Sequence, residues 1–118
     1  MSRKTDNCVL VIDVESTCWD PPQRQETSEI IEIGVTVVDT TKLLIVDSGS
    51  IMVKPQMSKV SEFCTKLTTL NQEMVDKGIL FHEAMTELKY NYNSENRAFV
   101  SWGDYDRKMF ERNCKDFG

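Results

Sequence analysis

The chain has 118 residues and a formal net charge of −5, with 28% charged and 40% hydrophobic residues. That length suits one small domain with a core of its own, and the acidic balance excludes the broad phosphate-gripping surface of sequence-independent nucleic-acid binders. It leaves open an enzyme that grips only a strand end, where bound metal ions reverse the sign of the local field. Cys8, Cys18, Cys64 and Cys114 are scattered without a C-x-x-C pair, so neither a zinc site nor a disulfide framework is suggested and a reducing compartment is expected. No apolar run reaches membrane-spanning length, and residues 1–7 lack the apolar core of a signal peptide, so a soluble, cytoplasmic protein is expected.

Residues 8–14, continuously apolar up to Ile12, predict a central strand covered on both faces. The run ends in Asp13-Val14-Glu15-Ser16-Thr17. Side chains alternate across a strand, so Asp13 and Glu15 point to the same side with Cα atoms roughly 6.5–7 Å apart. Two anions sharing one face repel each other and resist desolvation unless cations lie between them. The pair therefore reads as a candidate divalent-metal site, although an isolated D-x-E would equally suit a polar strand end meeting solvent.

Residues 19–28, with Pro21-Pro22, read as a loop beside these acids. Two β-branched runs follow, 29–39 and 43–54, joined by Asp39-Thr40-Thr41-Lys42 and expected to pair as a hairpin that Pro55 ends. Together they predict an antiparallel three-stranded meander with the first strand innermost. From Ser58 the period becomes helical: Val60, Phe63, Cys64 and Leu67 mark one helix with Ser58 or Ser61 as N-cap. Asn71 caps a second short helix that Gly78 closes, and residues 81–90 form a third, burying Phe81, Met85 and Leu88. After a polar turn, residues 98–102 read as a short buried strand with Trp102 in the core. A last helix, 104–114, carries Met109, Phe110 and Cys114 inward. The final strand returns beside the first, giving a mixed sheet with packed helices, an α/β architecture of ribonuclease H type.

The second acidic cluster lies at this last strand-to-helix junction, Trp102-Gly103-Asp104-Tyr105-Asp106. Asp104 occupies the expected N-cap position, which accounts for it structurally. Asp106 is not needed there and sits one turn before Phe110, so it is the expected third acid. Three carboxylates would then converge.

The strings V-I-D-V-E-S-T-C-W-D, E-I-I-E-I-G-V-T-V-V-D, S-E-F-C-T-K-L-T-T-L-N-Q-E-M-V-D and S-W-G-D-Y-D-R-K-M-F resemble, in order and spacing, the DnaQ-like (DEDDh) 3′-to-5′ exonucleases. Within them the chain is similar to the enhancer-of-RNAi-type exoribonucleases. The resemblance implies a two-metal phosphodiesterase using Mg2+ or Mn2+ on the 3′ ends of RNA or single-stranded DNA. Asp13, Glu15 and Asp106 would be both catalytic residues and metal ligands, and Ser16, Thr17, Leu67 and Thr68 would line the pocket for the terminal nucleotide. Relatives usually carry glycine where this chain has Thr69.

The family's third motif, a histidine followed by an aspartate, has no counterpart here, since after Asp106 the only Asp or His is Asp116. Residues 1–118 are thus expected to be one partial exonuclease domain, truncated at the C-terminus. The alternative is a non-catalytic remnant, or an interaction module of the same fold that self-associates through exposed core. His82, the sole histidine, opens the third helix and reads as a surface residue. Trp19 suits either packing or substrate contact. D-V-E-S-T also resembles the D-x-D-x-T of haloacid-dehalogenase-like phosphotransferases, but a hairpin follows it here where those have a helix.

Overall fold

The computed structural model describes residues 6–22 and 28–117. Strands β1 (Cys8–Ser16), β2 (Ile30–Asp39) and β3 (Leu44–Met52) form the meander, and β4 (Ala98–Val100) returns to β1, giving the order β3-β2-β1-β4. β1 pairs antiparallel with β2 and parallel with β4, so the sheet is mixed and β1 is internal, as the sequence predicts. The β2–β3 turn forms because Asp39 Oδ1 accepts the backbone N–H groups of Thr41 and Lys42, both at 2.9 Å.

Four helices follow the meander: α1 (Glu62–Thr68), α2 (Gln72–Asp76), α3 (Phe81–Asn91) and α4 (Tyr105–Phe117). Ser61, not Ser58, caps α1 by accepting the Cys64 N–H at 3.0 Å, and Asn71 caps α2 through the Met74 N–H at 2.9 Å. Gly78 does not close α2 in a left-handed cap. Its use is close approach, since a Cβ there would sit 2.5 Å from the Met52 carbonyl oxygen.

The main core joins Leu10, Ile12 and Val14 of β1 and Ile33, Val35 and Val37 of β2 to Phe81, Ala84 and Leu88 of α3 and Met109 and Phe110 of α4. A smaller cluster of Ile31, Cys64, Leu70 and Val75 gathers where β1 ends and β2 begins. A register shift between Glu15 and Ser16 frees Ile31 to join it. The expectation that β1 is covered on both faces is corrected. Leu10, Ile12 and Val14 are buried while Val11 and Asp13 are exposed, because the helices cover only the face opposite the acids along most of the strand.

Three further expectations about burial fail for the same reason, lack of tertiary cover. β4 is exposed throughout and Trp102 is 98% exposed, because β4 is an edge strand held mainly by Phe99 against Phe110. Phe63 and Leu67 of α1 face outward, leaving Cys64 as the buried residue of that helix. In α4 the inward residue near the end is Asn113 rather than Cys114. Its side chain accepts the Ile30 N–H at 2.8 Å and donates to the Ser28 carbonyl at 3.1 Å. Leu67, expected in this helix, and Thr68 are the last residues of α1.

Candidate active site

Asp13 and Glu15 leave the same side of β1, as strand alternation requires, with Val14 between them buried in the core. β4 pairs with β1 only from Val9 to Val11, so the edge of β1 has no strand partner at Val14. α4 fills that gap. Its Asp106 is 6% exposed, and Oδ1 accepts the Val14 N–H at 3.3 Å. Asp104 instead stays exposed and pairs with Arg107 at 3.6 Å. The fold thus brings the third expected acid to the strand that carries the first two.

A fourth carboxylate, Glu32, lies directly across the β1–β2 ladder from Glu15 and accepts the Ser50 hydroxyl at 3.1 Å. Burial raises the Glu15 pKa above the ordinary carboxylate value, and the charges of Asp13, Glu32 and Asp106 raise it further. Burial also raises Asp106, the Val14 N–H partly offsets this, and the Asp13 charge adds to the rise. Among the described residues no group of three or more His, Cys, Asp or Glu side chains is drawn together tightly enough to hold a metal ion. The carboxylates are neighbours in electrostatic reach, and bare carboxylates repel. The donor set itself is all oxygen, the chemistry that hard divalent ions require.

The loop after β1 is tied down from several sides. The Ser16 hydroxyl is hydrogen-bonded to the Tyr105 hydroxyl, next in sequence to Asp106. Thr17 is fully buried, its hydroxyl bonded to Ser58 Oγ and to the Glu29 N–H, both at 2.9 Å, and its own N–H donates to the Glu29 carbonyl at 2.8 Å. Glu29, 3% exposed, was not singled out by sequence. Its carboxylate accepts the backbone N–H groups of Gln56 (2.6 Å), Met57 (2.8 Å) and Ser58 (2.5 Å), and the Ser58 hydroxyl (2.7 Å). The signal available was a carboxylate immediately before a buried apolar run. Thr17 and Glu29 therefore build the floor on which the strand end rests.

Leu67 is exposed on the last turn of α1. The Thr68 hydroxyl donates to the Cys64 carbonyl at 2.8 Å and accepts the Leu70 N–H at 3.1 Å. Thr69 caps α1 in the left-handed region, φ 68°. A cleft of about 400 Å³ opens beside α1, lined by Trp19, Asp20, Ser61, Glu62, Phe63 and Lys66. A smaller one of about 170 Å³ lies against Asp106, Phe99 and Phe110. His82 is exposed on α3, as expected.

A mixed sheet with an acid pair on its central strand and a third acid delivered by a following helix is an arrangement of ribonuclease H type. The sequence pattern of the RNase_T exonuclease family matches residues 10–117, and the chain belongs to that family. Its curated relatives include ERI1-type 3′-5′ exoribonucleases. It is 28% identical to human ERI1 exoribonuclease 2 over 137 residues, covering 97% of this chain and 20% of that protein. It is 30% identical to the Drosophila melanogaster 3′-5′ exonuclease Snipper over 120 residues, covering 83% and 42% respectively. Among solved structures, a full-length 3′-exonuclease superposes with a TM-score of 0.84 at 24% identity, covering 98% of this chain and 40% of that one. The nuclease domain of 3′hExo, a DEDDh family member bound to rAMP, gives 0.82 at 24% identity, covering 97% and 61%. These likenesses establish the ribonuclease H-like fold. The chain spans about a fifth of the length of the ERI1 exoribonuclease 2 relatives.

Proposed function

We propose that this chain is the catalytic-site half of a 3′-to-5′ exonuclease acting on the 3′ ends of RNA or single-stranded DNA. The observation that carries the reading is the Asp106 carboxylate seated on the Val14 N–H, between the two residues that supply Asp13 and Glu15. Asp13, Glu15 and Asp106 would hold Mg2+ or Mn2+, which suit carboxylate oxygen ligands. Such ions supply positive charge to the attacking and leaving oxygens of the phosphodiester and lower the pKa of the attacking water.

The chain's own residues then have separate tasks. Glu15, raised by burial and by the charges of Asp13, Glu32 and Asp106, and Asp106, raised by burial and by Asp13, are carboxyls whose ionised forms a cation would stabilise. The Val14 N–H holds the Asp106 carboxylate to the strand that carries the other two acids. The Ser16–Tyr105 hydrogen bond links the strand end to the start of α4 on the same side. Leu67 supplies an exposed apolar contact for a terminal base, with Thr68 fixing the backbone beneath it. Thr17, buried and fully bonded, supports the pocket from below. A reducing, cytoplasmic setting suits the four free cysteines.

The test is manganese-dependent release of mononucleotides from single-stranded RNA and DNA, with Asp13→Ala as control. Release abolished by that substitution is the expected result, and release unaffected by it removes the site assignment. A second reading, a non-catalytic module that self-associates, is favoured by the exposed Trp102, Phe99 and Val100 at the β4 edge. Metal-independent binding of 3′ ends without hydrolysis, together with a dimer in sedimentation, would select it.

A further inference from the structure

Cys18 and Cys64, 46 positions apart in sequence, lie together at the smaller apolar cluster. Cys64 lies in the first turn of α1 and is fully buried; Cys18, in the loop after β1, is partly buried and packs against the cluster that contains Cys64. The two side chains thus share one apolar cluster, with Ile31, Leu70 and Val75 around them. Two more bonds hold the segments in place: Ser61 Oγ donates to the Cys18 carbonyl at 2.6 Å, and Cys64 Sγ donates to the Ser16 carbonyl at 3.5 Å. We infer that Cys18 and Cys64 are an oxidisable pair, a reversible disulfide site that fastens the loop leaving β1 to α1.

The geometry favours this pair over the other thiols. A disulfide needs its two Cβ atoms brought within about 3.5–4.5 Å, and a pair packed in one cluster between two clamped segments is placed to make that approach. Cys18 is partly exposed and next in sequence to Trp19, which lines the cleft beside α1, while Cys64 is closed to solvent. With hydrogen peroxide as oxidant, the Cys18 thiolate attacks one peroxide oxygen, the O–O bond breaks, and after proton transfer one water leaves, with Cys18 as the sulfenic acid. The Cys64 sulfur then attacks the Cys18 sulfur, the S–O bond breaks and a second water leaves. Two thiols lose two hydrogens and one peroxide becomes two waters. A dithiol reductant reverses the bond by exchange.

Burial, the hydrogen bond with Cys64 and the nearby Cys64 and Glu15 charges push the Cys18 thiol up to about 11. The thiolate is therefore scarce at neutral pH, and oxidation accelerates by about tenfold per pH unit below that value. Once the disulfide forms, Cys64 no longer has a hydrogen for the Ser16 carbonyl. The loss falls one residue from Glu15, on the residue whose hydroxyl meets Tyr105. This last consequence rests on the proposed nuclease site; the disulfide itself does not.

The test is a non-reducing peptide map of residues 1–118 after peroxide treatment at pH 7.5 and 8.5, without any activity measurement. The expected result is a peptide pair joining Cys18 to Cys64 with the loss of two hydrogens, formed about tenfold faster at the higher pH and removed by dithiothreitol. Cys18→Ser should leave Cys64 unmodified, and Cys64→Ala should stall Cys18 at the sulfenic acid. Should Cys64→Ala fail to fold, native-state alkylation of the reduced wild type replaces it, with Cys64 expected to be the slowest thiol. Over-oxidised Cys18 without a link, or links confined to Cys8 or the exposed Cys114, would overturn the inference. A link formed in a protein that proves inactive as a nuclease would leave the disulfide standing and remove only the functional reading.

Discussion

The carboxylate of Asp106 accepts the backbone N–H of Val14 at 3.3 Å, across 92 positions of sequence. A side chain thereby does at Val14 what a backbone carbonyl does further up the edge, where β4 pairs with β1. The bond fixes an acid from α4 between two acids of β1 and satisfies a buried donor in one stroke.

Two substitutions separate these duties. Asp106→Asn keeps an oxygen for the Val14 N–H and removes the charge. It should leave stability unchanged or raised and lower metal-dependent hydrolysis roughly 100-fold or more. Asp106→Ala should lose the same activity and in addition about 1–3 kcal/mol of stability, because the Val14 donor is left unpaired. Denaturant titration beside single-turnover hydrolysis reads both. Equal stability of the two variants would mean that the bond carries no structural weight.

The raised pKa values of Glu15 and Asp106 set a pH dependence. For a carboxyl whose folded pKa lies above its unfolded value, the stabilising contribution is fully present below the unfolded pKa and is lost as pH rises through the folded value. Without divalent ions, these two groups should therefore weaken the fold as pH climbs above the ordinary carboxylate range. Asp6, lowered chiefly by its hydrogen bond from Arg97, acts in the opposite direction, contributing above its unfolded value and losing that contribution as pH falls. Added Mn2+ should reverse the penalty by binding the ionised acids, so the metal-induced rise in melting temperature should grow from pH 4 to pH 7.5. It should shrink in Glu15→Gln. A metal shift equal at both pH values would remove these acids from the ligand set.

Glu29 should be among the costliest single residues to change. All four of its hydrogen bonds come from the turn at residues 56–58, and three of the four donors are backbone groups. Glu29→Ala should cost about 1–3 kcal/mol for each buried donor left without an acceptor, the Ser58 N–H and the Ser58 hydroxyl. In Glu29→Gln one oxygen can still serve Met57 and Ser58, but the amide then faces the Gln56 N–H donor to donor, for a loss of roughly 1–3 kcal/mol. Urea midpoints would rank the three proteins, and a Gln variant as weak as the Ala variant would contradict the assigned geometry.

The acid pair was legible because strand alternation is local: once residues 8–14 are a strand, Asp13 and Glu15 must share a side. Asp106 was legible from its spacing to Phe110 on one helix. What could not be read was cover, since an apolar residue is buried only if a distant element lies over it. Trp102, Phe63 and Cys114 are exposed because nothing among the described residues packs on them, whereas Asn113 turns inward because the Ile30 N–H and the Ser28 carbonyl need partners there. Glu29 was missed for the same reason, its donors lying 27–29 residues away.

Thr69 ends α1 at φ 68°, ψ 4°, a conformation that a β-branched residue adopts at a cost. Its backbone N–H still closes the helix on the Thr65 carbonyl at 2.8 Å, so the cap is made despite the strain. The left-handed region costs a non-glycine residue roughly 1–2 kcal/mol, while glycine loses about 0.5–1 kcal/mol more backbone freedom on folding. The difference favours Thr69→Gly by roughly 0.5–1 kcal/mol, readable as a higher urea midpoint. Thr69→Val, equally branched, should show no gain. Because Thr69 follows Leu67 and Thr68 in sequence, the glycine variant should also let a terminal nucleotide approach the backbone more closely and lower KM on short oligonucleotides with kcat little changed. A stabilised protein with unaltered KM would keep the strain argument and place the terminal nucleotide away from this turn.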